Sequence, residues 1–288
     1  MKKLMLILIF TFISLYMVCP LTLAAGVRPL VLNFDLKPGD STDFELQLTP
    51  GEMPETVEIS LYNPHQQLSG GLTYEKGDPE RHPALNWIRM EKTTVRVPAG
   101  EERIVRGEIE VPYDAAGYHT AVLMIEKAEN EDQSEQKLFN FLVRYAVRLN
   151  INIDRPGQRA RAELQNLNIK PGQEGEPLIT TRIKNSSPVR FSAAAEATLR
   201  DENRRLVERV QLSSEAQARS NSRSTGIYPG SEVLLSGEVT EPLFPGQYYL
   251  QLFLQYDGGR QLIERKLVAL GDEYIDADRE EYIGVVPG

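Results

Sequence analysis

The chain has 288 residues, 41% hydrophobic and 25% charged, with a formal net charge of -9, one cysteine and three histidines. The acid excess excludes nucleic acid and other polyanions as partners, because the long-range field of the protein repels them. A single cysteine excludes a disulfide framework and a thiolate metal centre.

Lys2 and Lys3 precede an apolar run from Leu4 to Val18, then Pro20 and the small-residue stretch TLAAG. A basic start, a short apolar segment and a small-residue exit predict a signal peptide over residues 1–25, cleaved after Ala24 or Ala25. An uncleaved anchor is the alternative, since Leu4 to Ala25 is long enough to span a bilayer. Cys19 lies in this segment; Val18 and Tyr16 stand where a lipid-attachment site carries a small residue and Leu, so the thiol is expected to leave with the signal. Loss of Lys2 and Lys3 takes the formal charge from -9 to -11. No later stretch is long and apolar enough to cross a membrane.

The remainder is written twice. FDLKPGD at 34–40 reappears as LNIKPGQ at 167–173, 133 residues later. Each runs into a Lys-Pro-Gly turn, where Pro presets φ and Gly accepts positive φ. VRVPAGEERIVRGEIEVP (95–112) followed by YDAAGYHTAVLMIE (113–126) matches GIYPGSEVLLSGEVTEP (226–242) followed by LFPGQYYLQLFLQY (243–256). Short alternating runs lie between these landmarks: TVEISLY (56–62), TTVRV (93–97), IVRGEIEV (104–111) and TAVLMI (120–125). Period-2 runs with turn chemistry between them predict an all-β fold of two immunoglobulin-like antiparallel sandwiches in tandem, over 26–154 and 162–270. RPGQRAR links them at 155–161, and an acidic tail, expected to be solvated, occupies 271–288. SAAAEATLRDENRRLVERVQL (192–212) has a helix-forming composition. The sandwich needs strands there and DEN is turn chemistry, so a hairpin is expected.

The run LFNFLVRYAVRLNINIDRPG (138–157) closes the first copy. Phe139, Phe141, Val143, Tyr145, Val147, Leu149, Ile151 and Ile153 alternate with Asn140, Arg144, Arg148, Asn150 and Asn152. One face of such a strand is buried and the other wet. At 16 residues it exceeds the usual strand of roughly 5 or 6. A long edge strand offers unpaired N–H and C=O groups to an incoming strand. The alternative is that it is paired on both sides.

No catalytic constellation or cofactor motif is visible, and a non-enzymatic protein is expected. His65, His82 and His119 lack metal-binding partners at useful spacing. SGGLTYEKGD (69–78) has no Lys-Ser/Thr to make a phosphate cradle and reads as a loop or hairpin. Tyr118 and Tyr248 hold equivalent places after the loop glycine of each copy. A structural role is expected for both, with the ring packed inward and the hydroxyl bonded to nearby backbone. Trp87 is the one tryptophan and is expected in a core.

Two resemblances follow from these motifs. FDLKPG, SGGLTY, VRVPAGEERIVRGEIEVP and AGYHTAVLMI resemble the peptidoglycan-binding domain of WxL-interacting cell-surface proteins, though that family usually ends in a transmembrane anchor. The resemblance implies a wall adaptor that binds peptidoglycan or another glycan through loops carrying Tyr74, Trp87 or Tyr113. FLVRYAVRLNINIDRPG, with Arg155 and Pro156 after a long alternating strand, is similar to the end of the first domain of periplasmic pilus chaperones. That resemblance implies a strand lent to an incomplete subunit, and a basic pair in the interdomain cleft, with Arg28 and Lys137 as candidate counterparts. The expected function is therefore an exported periplasmic or cell-surface protein that binds an envelope protein along Phe139, Phe141, Val143, Tyr145, Val147, Leu149 and Ile151. The wall adaptor is the alternative.

Overall fold

The computed structural model describes residues 26–51, 53–128, 143–173, 175–276 and 281–286, with side chains as far as residue 271. The fold is nearly all β. Two buried cores are present, one drawn from residues between Val27 and Ile153 and the other from residues between Ala160 and Leu270.

The first sandwich holds β1 (Gly26–Arg28), β2 (Val31–Leu36), β3 (Ser41–Thr49), β4 (Glu55–Gln66), β5 (Leu72–Lys76), β6 (Ile88–Met90), β7 (Thr94–Val97), β8 (Arg103–Glu110), β9 (Gly117–Lys127) and β10 (Arg144–Ile153). A 3-10 turn at Pro83–Trp87 precedes β6. One sheet runs β1-β3-β8-β6; the other runs β2-β10-β9-β4-β5, with β7 also on β4. The second sandwich holds β11 (Ala162–Pro171), β12 (Pro177–Asn185), β13 (Phe191–Arg200), β14 (Leu206–Leu212), a short helix α1 (Glu215–Ser220), β15 (Thr225–Ile227), β16 (Glu232–Glu238), β17 (Gly246–Tyr256), β18 (Arg260–Asp276) and β19 (Glu281–Val286). Its sheets run β11-β12-β16 and β14-β13-β17-β18-β19, with β15 on β13.

The two sandwiches repeat one topology. β3-β8 corresponds to β12-β16, and β4-β9-β10 corresponds to β13-β17-β18. The opening strand distinguishes them. In the second copy β11 stays on β12, whereas in the first copy the chain pairs β1 with β3, then crosses to lay β2 parallel on β10. After β2 the Lys37-Pro38-Gly39-Asp40 turn closes with Asp40 N–H donating to Lys37 O at 3.0 Å. Gly39 sits at φ +87°, with the Tyr113 ring where a Cβ would fall, so the turn requires glycine.

The segment 192–212 is a hairpin, β13 to β14. Ala193, Ala195, Ala197 and Leu199 enter the core at every second position, so burial on one sheet face overrides the helix propensity of alanine. Where an acidic tail is expected, β18 continues to Asp276 and Glu281–Val286 returns along it as β19. Tyr282, Ile283, Val285 and Val286 are strand-forming types, which outweigh the acidic residues before them. α1, capped by Ser214 Oγ accepting from Gln217 N–H, has no counterpart in the sequence expectations.

Candidate binding edge and interdomain cleft

β10 is covered unequally on its two sides. β9 pairs with all of it, from Arg144↔Glu126 to Ile153↔Gly117. β2 pairs only from Val31↔Arg148 to Leu36↔Ile153. Arg148 N–H donates to Leu30 O at 3.0 Å. Because main-chain groups alternate along a strand, the even-numbered residues therefore turn their N–H and C=O toward β2, and the odd-numbered ones toward β9. Arg144 and Ala146 face the same side as Arg148, but beyond the start of β2. Among the described residues no strand is hydrogen-bonded to them on that side, although β1 approaches β10 there.

The run expected to bind a partner is thus divided. Lys137, Phe139 and Phe141 lie outside the described residues. Val143 is 57% exposed, and Tyr145 is half-buried against the first core. Val147, Leu149 and Ile151 are fully buried. Their side chains build the core, and β2 covers the backbone edge from Arg148 onward. Ahead of β2, only Arg144 and Ala146 of β10 turn their main-chain groups to the side that β2 does not pair.

Past that edge, β10 enters a cleft between the sandwiches. The cleft, about 410 Å³, is lined by Asn33 and Asp35 of β2, Arg148, Asn150 and Asn152 of β10, Tyr118 of β9, and Arg190 and Tyr228 of the second sandwich. Side-chain amides tie β10 to β2: Asn150 Nδ2 donates to Asn33 Oδ1 at 2.8 Å, and Asn152 Nδ2 donates to Asp35 Oδ1 at 2.9 Å. Arg148 Nη1 donates to the Tyr228 hydroxyl at 3.4 Å. The Tyr118 and Tyr228 rings meet edge-on at 5.8 Å. The Arg190 guanidinium lies 5.9 Å from the first ring and 5.3 Å from the second. Burial, reinforced by the neighbouring Tyr228, pushes the Tyr118 phenol above its ordinary pKa and keeps it neutral. Neither Arg148 nor Arg190 forms an ion pair among the described residues. Two guanidiniums against one carboxylate, Asp35, make the cleft cationic in an acidic protein, and suited to a carboxylate.

Arg28 is not in this cleft: it lies exposed on β1 opposite Gln47, in the other sheet, because the chain crosses between sheets after it. Arg148 and Arg190 are the cleft's cations. Their signal in the sequence was the wet face of the alternating run for Arg148; nothing local marks Arg190. Tyr248 is buried, its hydroxyl accepting from Phe244 N–H and donating to Phe244 O, both at 3.0 Å. Tyr118, at the equivalent place, instead faces the second sandwich. Trp87 is buried, edge-on to His119 at 4.6 Å, and is no stacking platform. Tyr113 is 84% exposed, and Tyr74 is half-buried on β5. His65, His82 and His119, far apart in sequence, line one groove of about 760 Å³ on the interface. Among the described residues no three metal-binding groups converge. Burial holds His119 below the ordinary histidine pKa. No helix of the described residues is long and apolar enough to cross a membrane.

The fold is that of two immunoglobulin-like sandwiches in tandem, and several solved structures are similar to it. A chain of the chaperone–tip adhesin complex of CFA/I fimbriae biogenesis is 12% identical with a TM-score of 0.46, over 85% of this chain and 99% of its own. The class 5 fimbriae chaperone CfaA is 13% identical with a TM-score of 0.44, over 84% and 99%. A chain of the CsuC–CsuE chaperone–tip adhesion subunit complex of Acinetobacter baumannii is 11% identical with a TM-score of 0.42, over 74% and 89%. No protein-family profile matches the sequence, and no curated protein matches it.

Proposed function

We propose that this is a non-enzymatic exported protein that holds an envelope protein by strand addition, as an assembly chaperone. The observation that carries the reading is the open stretch of β10 at Arg144–Val147, where a fully paired strand loses its neighbour on one side only. Main-chain groups of Arg144 and Ala146 give affinity there without regard to side-chain identity, and exposed Val143 adds an apolar contact. The cleft begins next to this stretch on the same strand, where Arg148 and Arg190 suit a carboxylate of the bound chain. The glycan-binding reading is less favoured, since Trp87 is in the core, Tyr74 lies on β5 and Tyr113 lies in the connection between β8 and β9.

The test is capture from the envelope of the producing cell with tagged full-length chain. Ala146→Pro removes one outward N–H and leaves the β9 ladder intact. The expected result is a co-purifying protein whose yield falls about tenfold or more in this variant, equivalent to ~1.4 kcal/mol. Equal capture by a folded Ala146→Pro protein would show that the edge is not used. Charged replacements of Val147 or Leu149 are unsuitable, because both side chains are fully buried and the fold itself would fail.

A further inference from the structure

The turn between β4 and β5 reaches out of its own sandwich. Leu68 O accepts from Leu234 N–H at 2.8 Å, and Ser69 O accepts from Ala216 N–H at 2.9 Å. Leu234 belongs to β16, the outer strand of the β11-β12-β16 sheet. The first sandwich thus adds a contact at that edge, next to Ser213 of the second sandwich, which bridges Ser236 there. At the root of the turn stands Gln66, 7% exposed. Its Nε2 donates to Gly226 O at 2.8 Å and to Gly70 O at 3.3 Å, while its Oε1 accepts from Tyr228 N–H at 3.0 Å. Both ends of one carboxamide are therefore used on the second sandwich. Across the interface Tyr118 N–H donates to Pro188 O at 2.7 Å, and Gly117 leaves no room for a Cβ beside that carbonyl.

We infer that Gln66 is a positioning residue that fixes the angle between the two sandwiches and, through Tyr228, the spacing of Arg148 from Arg190. The chain of contacts is short. Gln66 holds the Tyr228 main chain, the Tyr228 ring backs Arg190, and the Tyr228 hydroxyl meets Arg148. Only a group with a donor and an acceptor satisfies this place. A glutamate there would set a carboxylate against the carbonyls of Gly226 and Gly70, and would regain a donor only when protonated. The inference concerns the free protein and stands apart from strand addition, so failure to capture a partner leaves it untouched.

The experiment measures the distance between spin labels on the two sandwiches, at Arg96→Cys on β7 and Arg209→Cys on β14, both exposed, in full chain carrying Cys19→Ser. The parent is expected to give one narrow distribution. Gln66→Glu is expected to broaden or shift it at neutral pH and to recover it in acid, whereas Gln66→Leu, lacking any polar group, broadens it at both. Trp87 fluorescence reports whether the first sandwich is folded. Folded variants with the parent's distribution would overturn the inference. Loss of the first sandwich in both variants would also overturn it, making Gln66 a core residue instead of an orienting one.

Discussion

Proline placed at adjacent positions of β10 separates its two sides. Ala146 N–H points to the side of β2 but ahead of its first residue, so Ala146→Pro breaks no ladder bond and is expected to cost no more than about 1 kcal/mol. Val147 N–H points to β9 opposite Leu123, a residue with no exposed surface. Val147→Pro removes that bond and leaves a buried acceptor unpaired, about 1–3 kcal/mol. It also replaces a fully buried side chain, adding on the order of 1 kcal/mol. The expected difference is therefore roughly 1–4 kcal/mol, or a gap of several degrees in Tm for a sandwich of this size. Trp87 is the single tryptophan and sits in the first core, so urea unfolding followed by its fluorescence isolates that sandwich. Midpoints should fall in the order parent, Ala146→Pro, Val147→Pro, at constant slope. Equal losses at the two positions would refute the assignment of sides, and the open edge with it.

Three further outcomes follow from buried groups. Tyr248→Phe removes a hydroxyl that serves both the N–H and the C=O of Phe244, and should destabilise the second sandwich by about 1–3 kcal/mol in calorimetry. His119 is held below the ordinary histidine pKa by burial, so near and below that value the unfolded chain binds the extra proton. Its contribution is complete above the ordinary value and lost as the pH falls below it; a urea midpoint series from pH 7.5 to 5 should be flatter for His119→Gln, and parallel curves would contradict this. Gly117→Ala places a Cβ 2.5 Å from Pro188 O at φ +90°. It should cost about 1–3 kcal/mol and weaken protection of the Tyr118 amide, measured by hydrogen exchange.

Much of the fold could be read in the residues because the sandwich obeys period 2. Alternation places Val147, Leu149, Ile151 and Ile153 in a core with no other information, and the repeated Lys-Pro-Gly landmarks announce two copies. The hairpin at 192–212 required the architecture as well, since alanine alone favours a helix. The edge was harder. Alternation says which side chains are wet, but not which backbone side has a neighbour. β2, crossing from the other sheet, is a long-range pairing that no local pattern records. The same crossing carries Arg28 away from the cleft. Arg190 and Tyr228 join Arg148 only because the turn at Gln66 orients the second sandwich. Tyr118 and Tyr248 show the limit of repeat logic: equivalent positions took different roles, because only the first copy has another sandwich stacked on that end.

The central claim is that an incoming strand pairs with the β10 edge ahead of β2. Amide hydrogen exchange on the free protein and on its partner complex tests this directly. In the free protein, the Arg144 and Ala146 amides should exchange fast while Val147 and Leu149 are protected, and capture should protect Arg144 and Ala146. If those two amides are already as slow as Val147 in the free protein, or stay fast when a partner is bound, the account is contradicted.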